Sequence, residues 1–322
     1  MLRVGAGLLV LAAAAGLLWL HGRRQPTDSG GGLGPSFRYD LSELQKVDPA
    51  LLTFEEQSGV ALDLAEPQAL AVGPDDRIYV AGAGEAVVFA PDGTPERRFA
   101  IGATATCVAV ARDGAVLVGL RDRVAAFAPD GRPVADWPSL GSNAVLTCLG
   151  VGSNSVYAAD AGNRVVLRYD RTGALLGRIG VKDAERGIQG FVIPSPYFDL
   201  AALDDDSVWV VDPGRHRFVH FTPDGAVLSS WAKSGMQMDG FSGCCNPAHI
   251  ARRPDGAFVT SEKGLVRVKV VGPTGELVAV VAGPESFAEG ATGLDLAVDR
   301  AGRVLVLEPQ AKKVRVFVEK KP

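Results

Sequence analysis

Histidine, cysteine and helical periodicity are what this chain has least of. Only 4 His occur in 322 residues, one of them His21 beside an apolar segment, so general bases are scarce, and no nucleophile elbow is present. The four cysteines are Cys107, Cys148, Cys244 and Cys245. None has C-x-x-C spacing, which excludes a zinc ribbon, a thioredoxin-like site and a haem attachment site, and four are too few to frame a domain of this size with disulfides. Clustered positive charge is missing as well. The net charge is −4, the isoelectric point is about 5.7, and Lys and Arg are scattered singly. Releasing phosphate counterions needs basic stripes, so nucleic acid is excluded as a partner.

One long apolar run exists, Val4–Leu20, preceded by Arg3 and followed by His21-Gly22-Arg23-Arg24. Its 17 residues sit at the lower limit for spanning a bilayer and exceed the usual apolar region of a cleaved signal. No small-x-small site follows Leu20, so residues 1–21 read as an uncleaved signal anchor, a transmembrane helix, with a cleaved signal as the alternative. The flanking charges balance. The N-terminal position of the run and a flexible stretch within residues 22–38, QPTDSGGGLGPS, place the rest of the chain on the extracytoplasmic, periplasmic side of a membrane.

What the chain has in abundance is 39 Gly and 20 Pro, the profile of many short strands joined by tight turns. From about Pro67 one unit repeats: four strands separated by polar turns. Its first turn recurs at Asp76, Gly114, Asn154, Asp206, Gly256 and Gly302, spaced by 38, 40, 52, 50 and 46 residues. A later turn recurs as Pro91-Asp92-Gly93, Pro129-Asp130-Gly131, Arg171-Thr172-Gly173, Pro223-Asp224-Gly225 and Pro273-Thr274-Gly275. Between the turns lie runs such as Val156-Tyr157-Ala158 and Val208-Trp209-Val210, rich in β-branched and aromatic residues. Six four-stranded units that cannot bury both faces alone predict an all-β, six-bladed β-propeller over residues 39–322. The last unit ends one strand short, and Leu51-Leu52-Thr53-Phe54-Glu55 is the spare strand expected to complete it, which would leave no long free edge.

The third unit, Val156-Tyr157-Ala158-Ala159-Asp160-Ala161-Gly162-Asn163-Arg164-Val165, resembles the NHL-repeat consensus, and the fourth resembles it more loosely. The resemblance spans roughly residues 64–318. It implies the propeller fold without implying one function, since NHL propellers include scaffolds, sensors, ligand-binding domains and a few lyases. Within the units Asp160, Asp212, Glu262 and Glu308 recur and are followed by Arg164, Arg217, Arg267 or Arg315. These charges are expected to brace hairpins.

Aligning the six first strands sets Ala69, Cys107, Cys148, Asp199, His249 and Asp295 at one position. Strand alternation then turns them to a common side, toward the axis or its mouth. Thiolate and imidazole suit zinc, copper or iron, and carboxylates extend the choice to calcium and manganese. No motif names a cofactor; the column admits a divalent metal, and it also admits buried thiols and strand-capping carboxylates with no chemistry. Propellers similar to the amidating lyases place metal-binding histidines in such a column, and here only His249 matches. Just before it stands Phe241-Ser242-Gly243-Cys244-Cys245-Asn246-Pro247, whose adjacent cysteines form a strained ring when joined. With the inserts 180–196 and 283–290, this connection is expected to form a rim that docks a protein partner or small ligand, with Cys244, Cys245, Phe241 and Asn246 on it. Two functions follow: a membrane-anchored binding or assembly module, in an envelope redox complex if the cysteines are used, or a metal-dependent lyase or hydrolase with its metal on the axis.

Overall fold

The computed structural model describes residues 41–288 and 290–321. The apolar run 4–20 and the tether in 22–38 lie outside the described residues, and among the described residues no helix is long and apolar enough to cross a membrane.

Six antiparallel four-stranded sheets make six blades, in chain order except for one strand. Blade 1 spans Ala69–Thr104, blade 2 Cys107–Asp136, blade 3 Leu146–Ile179, blade 4 Leu200–Ala232 and blade 5 His249–Ala282. Blade 6 takes three strands from Leu296–Glu319 and its outermost from Phe54–Ala61, which pairs with Lys313–Glu319. The closing strand therefore begins at Phe54, later than the expected 51–55. Pro49–Leu51 is instead a 3-10 turn, with the Asp48 carboxylate accepting the Ala50 N–H at 2.9 Å, as a carboxylate cap before proline favours. Arg315 fastens the closure by reaching Glu56 on the N-terminal strand, Nε to Oε1 at 2.8 Å.

The repeated turns do the work their composition suggests. Glycines of the later turn adopt left-handed backbone, among them Gly173 at φ 92° and Gly275 at φ 94°. At both positions the absent Cβ also makes room for the preceding blade. A Cβ on Gly173 would lie 2.6 Å from Trp137, and one on Gly275 2.6 Å from Trp231. In these two blades the turn is thus a socket for an aromatic ring, linking the turn sequence directly to the packing of blade on blade. Between blades the apolar faces form continuous layers, such as Trp209, Val211, Phe218, Phe241, Ile250 and Phe258 between blades 4 and 5.

The hairpin charges behave as braces in three blades. Asp212 meets Arg217 at 3.1 Å, Glu262 meets Arg267 at 2.7 Å, and Glu308 lies 3.7 Å from Arg315. In blade 3 the Asp160 carboxylate instead accepts the N–H groups of Val145 and Asn163 and the Asn163 side-chain amide at 2.6 Å. There a side chain that can donate locally takes the place of the arginine.

Connections entering the inner strands are unequal. Two residues separate blades 1 and 2, whereas 180–199, 233–248 and 283–295 are long. The ring therefore carries its extra chain over blades 4, 5 and 6.

Candidate metal centre and rim

All six inner strands line a central cavity of about 280 Å³, with Leu70, Val108, Leu149, Leu200, Ile250 and Leu296 each contributing. The column position falls at or just before the start of these strands, save in blade 3, where the strand begins at Leu146 and Cys148 lies inside it. Three of its members converge. Ligand atoms of Asp199, His249 and Asp295, from three successive blades, lie within 4.8 Å of one another. His249 Nδ1 is 3.4 Å from Asp199 Oδ2 and 3.5 Å from Asp295 Oδ1. Bonds of 2.0–2.2 Å to a tetrahedral metal would put ligand atoms about 3.4 Å apart, which the two histidine–carboxylate distances match, as a His–Asp ion pair also does.

Each carboxylate is aimed by backbone. Asp199 accepts Leu200 N at 2.7 Å and, across the blade boundary, Ile250 N at 2.9 Å. Asp295 accepts Leu296 N at 2.8 Å and Leu70 N of blade 1 at 2.7 Å. These bonds hold the acceptor oxygens in place while leaving lone pairs for a further partner, in the way that outer contacts orient metal ligands. They also stitch neighbouring inner strands together, so the two residues serve the scaffold whether or not a metal binds.

The three side chains set one another's charge. Burial pushes the Asp295 carboxyl up to about 6, with the Asp199 charge adding and a charged His249 opposing. Burial disfavours the charged His249 imidazole, but its hydrogen bond to Asp199 and the charge of Asp295 outweigh that and raise it above the ordinary range. A divalent ion would have to displace the proton that these carboxylates favour on His249; with the imidazole then neutral, the two carboxylates would match its charge. The Tyr197 ring meets the imidazole edge-on at 5.8 Å and fixes one side of the site.

Cys107 and Cys148 share the cavity wall but stand outside the three-residue set. Burial pushes the Cys107 thiol up to about 12 and Cys148 well above its ordinary value, so both are thiols in the metal-free protein. The Cys148 Sγ–H donates to Leu200 O at 3.5 Å, again across a blade boundary, and Cys107 Sγ sits over Gly119, where a Cβ would approach it to 2.2 Å. Their surroundings are those of packed thiols.

The rim residues divide in a similar way. Phe241 is fully buried, stacked near Phe218 and Trp231 with the Lys269 ammonium 4.2 Å from its ring centre, so it is core and not binding surface. Asn246 is buried too. Its amide donates to Ser242 O at 2.7 Å and Lys263 O at 3.0 Å, and its Oδ1 accepts Lys263 N at 3.0 Å, clamping the loop to the blade 5 hairpin. Cys244 is exposed and Cys245 buried, both with free thiols, their sulfurs 3.2 Å apart. Two neighbours went unnoticed in the sequence. Lys263 donates to Ser195 at 3.2 Å and lies over the Tyr197 ring at 4.5 Å, tying the connection 180–199 to the cysteine loop.

No family model matches the sequence, and no curated protein does. Solved structures do share its fold, which is that of β-propellers. A streptogramin B lyase aligns with TM-score 0.60 at 11% identity, over 84% of this chain and 99% of that one. The WD40 propeller domain of Doa1 aligns with TM-score 0.56 at 15% identity, over 79% of each chain. Virginiamycin B lyase from Staphylococcus aureus aligns with TM-score 0.55 at 11% identity, over 82% of this chain and 99% of that one. At such identities the likeness is one of fold. Together with the six sheets it defines the chain as an all-β six-bladed propeller.

Proposed function

We propose that this chain is an NHL-type propeller held outside the cytoplasm by residues 4–20, and that it is a binding module with a divalent metal at its channel mouth. One observation carries the reading: Asp199, His249 and Asp295 present their ligand atoms within 4.8 Å, with oxygens already aimed by backbone N–H groups. Three protein ligands leave a coordination position open, and the bound ion would supply a Lewis acid for an oxygen-bearing ligand entering from the rim. The connection 180–199 meets the site through Tyr197 and the cysteine loop through Lys263, and in this reading these loops give the ligand or partner its specificity. The test is metal analysis of residues 41–322. Near-stoichiometric metal in the wild type, lost in His249→Ala and in Asp295→Asn, supports the centre; metal far below stoichiometry, or unchanged in both variants, removes it.

A second reading is catalytic, a lyase or hydrolase using the same three residues. It is favoured by the presence among the structures of like fold of streptogramin-type lyases, one described as a catalytically inactive histidine-to-alanine variant with quinupristin. Turnover that disappears with His249 at unchanged ligand affinity would support it, whereas ligand binding without turnover leaves the binding module.

A further inference from the structure

We propose that Cys244 and Cys245 form a thiol–disulfide redox site, distinct from the metal centre, in which exposed Cys244 meets a low-molecular-weight disulfide and buried Cys245 resolves it. The sulfurs are 3.2 Å apart, about 1.2 Å beyond an S–S bond of about 2.05 Å, and joining them closes the strained ring of adjacent cysteines. The loop is pinned on both flanks, by His216 Nε2 on Gly243 O at 2.8 Å and by the Asn246 clamp on Lys263. Such pinning keeps the two sulfurs together as a pair rather than as independent surface thiols.

The surroundings separate the roles of the two thiols. Burial disfavours the Cys245 thiolate, but hydrogen bonds from Lys263 and Ser195 and the neighbouring Cys244 outweigh it and hold Cys245 below the ordinary cysteine range. Cys244 is raised by hydrogen bonding to Cys245 and by that neighbour's charge. Solvent reaches Cys244 and not Cys245, so the small disulfide enters at Cys244. Cys244, a thiol at rest, gives up its proton to water, and its thiolate attacks one sulfur of RSSR, forming Cys244–S–S–R and expelling RS⁻, which takes up a proton. The Cys245 thiolate then attacks Cys244 Sγ, forming the vicinal disulfide and expelling a second RS⁻. Both cysteine protons end on two RSH; the protein pair loses two electrons and the small disulfide gains them.

The full-length protein, reduced and then exposed to oxidised glutathione, tests this by mass spectrometry of the tryptic peptide Ser234–Arg252, which holds both residues. The expected product is lighter by two hydrogens, with Cys107 and Cys148 still thiols. Cys245→Ser should trap one glutathione on Cys244, and Cys244→Ser should take up none. Lys263→Met should slow closure about threefold for each unit by which the Cys245 pKa rises, thiolate loss being partly offset by greater nucleophilicity, and Lys263→Arg should restore it. The proposal is overturned if the peptide keeps both thiols under the oxidant, if Cys245→Ser carries no glutathione, or if Lys263→Met closes at the wild-type rate.

Discussion

Replacing Glu262 by Gln should be among the most destabilising single changes in the blade 5 hairpin. Its side chain is fully buried and serves two buried cations, Arg267 Nε at 2.7 Å and Lys269 Nζ at 2.8 Å. Those cations also hold the connection above them. Arg267 Nη2 donates to Gln237 O and Gly240 O, each at 3.0 Å, and Lys269 Nζ donates to Met238 O at 2.9 Å. Removing one partner of a buried pair strands an uncompensated charge, at a cost of about 3–5 kcal/mol. Unfolding entropy of about 2.1 cal/mol/K per residue over about 280 residues turns that into a fall in Tm of about 5–8 °C. Lys269→Met removes a charge instead of stranding one, and should cost only about 1–2 kcal/mol for the carbonyls left unpaired. Urea or thermal unfolding followed by tryptophan fluorescence reports directly, because Trp231 stacks on Phe218 in this layer at 4.2 Å. An unchanged Tm in Glu262→Gln, or a larger loss in Lys269→Met than in Glu262→Gln, would refute the reasoning.

The same lysine gives a pH signature. Burial lowers Lys269 to about 8 from an ordinary value of 10.5, so the unfolded chain binds more protons between those limits and Lys269 contributes stability that rises with pH there. Wild type should therefore gain on Lys269→Met by up to about 1.4 kcal/mol per unit from pH 8 to 10.5, and parallel curves would contradict this. Gly173→Ala should lose at least about 2 kcal/mol, because φ 92° is unfavourable for alanine and its Cβ would strike Trp137. Gly302→Ala, at φ 82° with open space around it, should lose only about 1 kcal/mol in the same denaturation assay. Deleting residues 54–61 should leave the outer edge of blade 6 unpaired; aggregation on size exclusion and loss of a single cooperative calorimetric transition are expected.

The fold was legible because it is written locally and repeatedly. Turn glycines such as Gly173 and Gly275 announce both a backbone conformation and a strand spacing, and five recurrences of that turn beside six of the first leave little room for another architecture. The closing strand was legible in kind but misplaced by three residues at its start. Pro49 and Asp48 cap a turn there, and an apolar pair, Leu51-Leu52, looks like strand until that cap is weighed. Phe241 was misjudged for a related reason: glycines and serines around it suggest an exposed loop, whereas Lys269, Phe218 and Trp231 from two neighbouring blades enclose it.

The inner column shows where one-dimensional reading stops. Superposing six strands sets six equivalent positions at or near the inner-strand starts, yet only three of them converge, because their surroundings are set by what lies across each blade boundary, which no single repeat encodes. Cys148 donates to Leu200 O and becomes a packed thiol, while Asp199, one blade on, accepts Ile250 N and keeps an oxygen facing His249. Equivalent positions therefore diverge by partner rather than by place. The cysteine pair follows the same logic: Lys263 and Ser195 lie 18 residues after and 50 residues before Cys245 in the chain, and only the meeting of two long connections with the blade 5 hairpin turn brings them to it. A propeller makes function cheaply in this manner. Its repeat fixes where side chains point, and the unequal loops over blades 4, 5 and 6 decide which of them acquire a charge, a proton or a neighbour to react with.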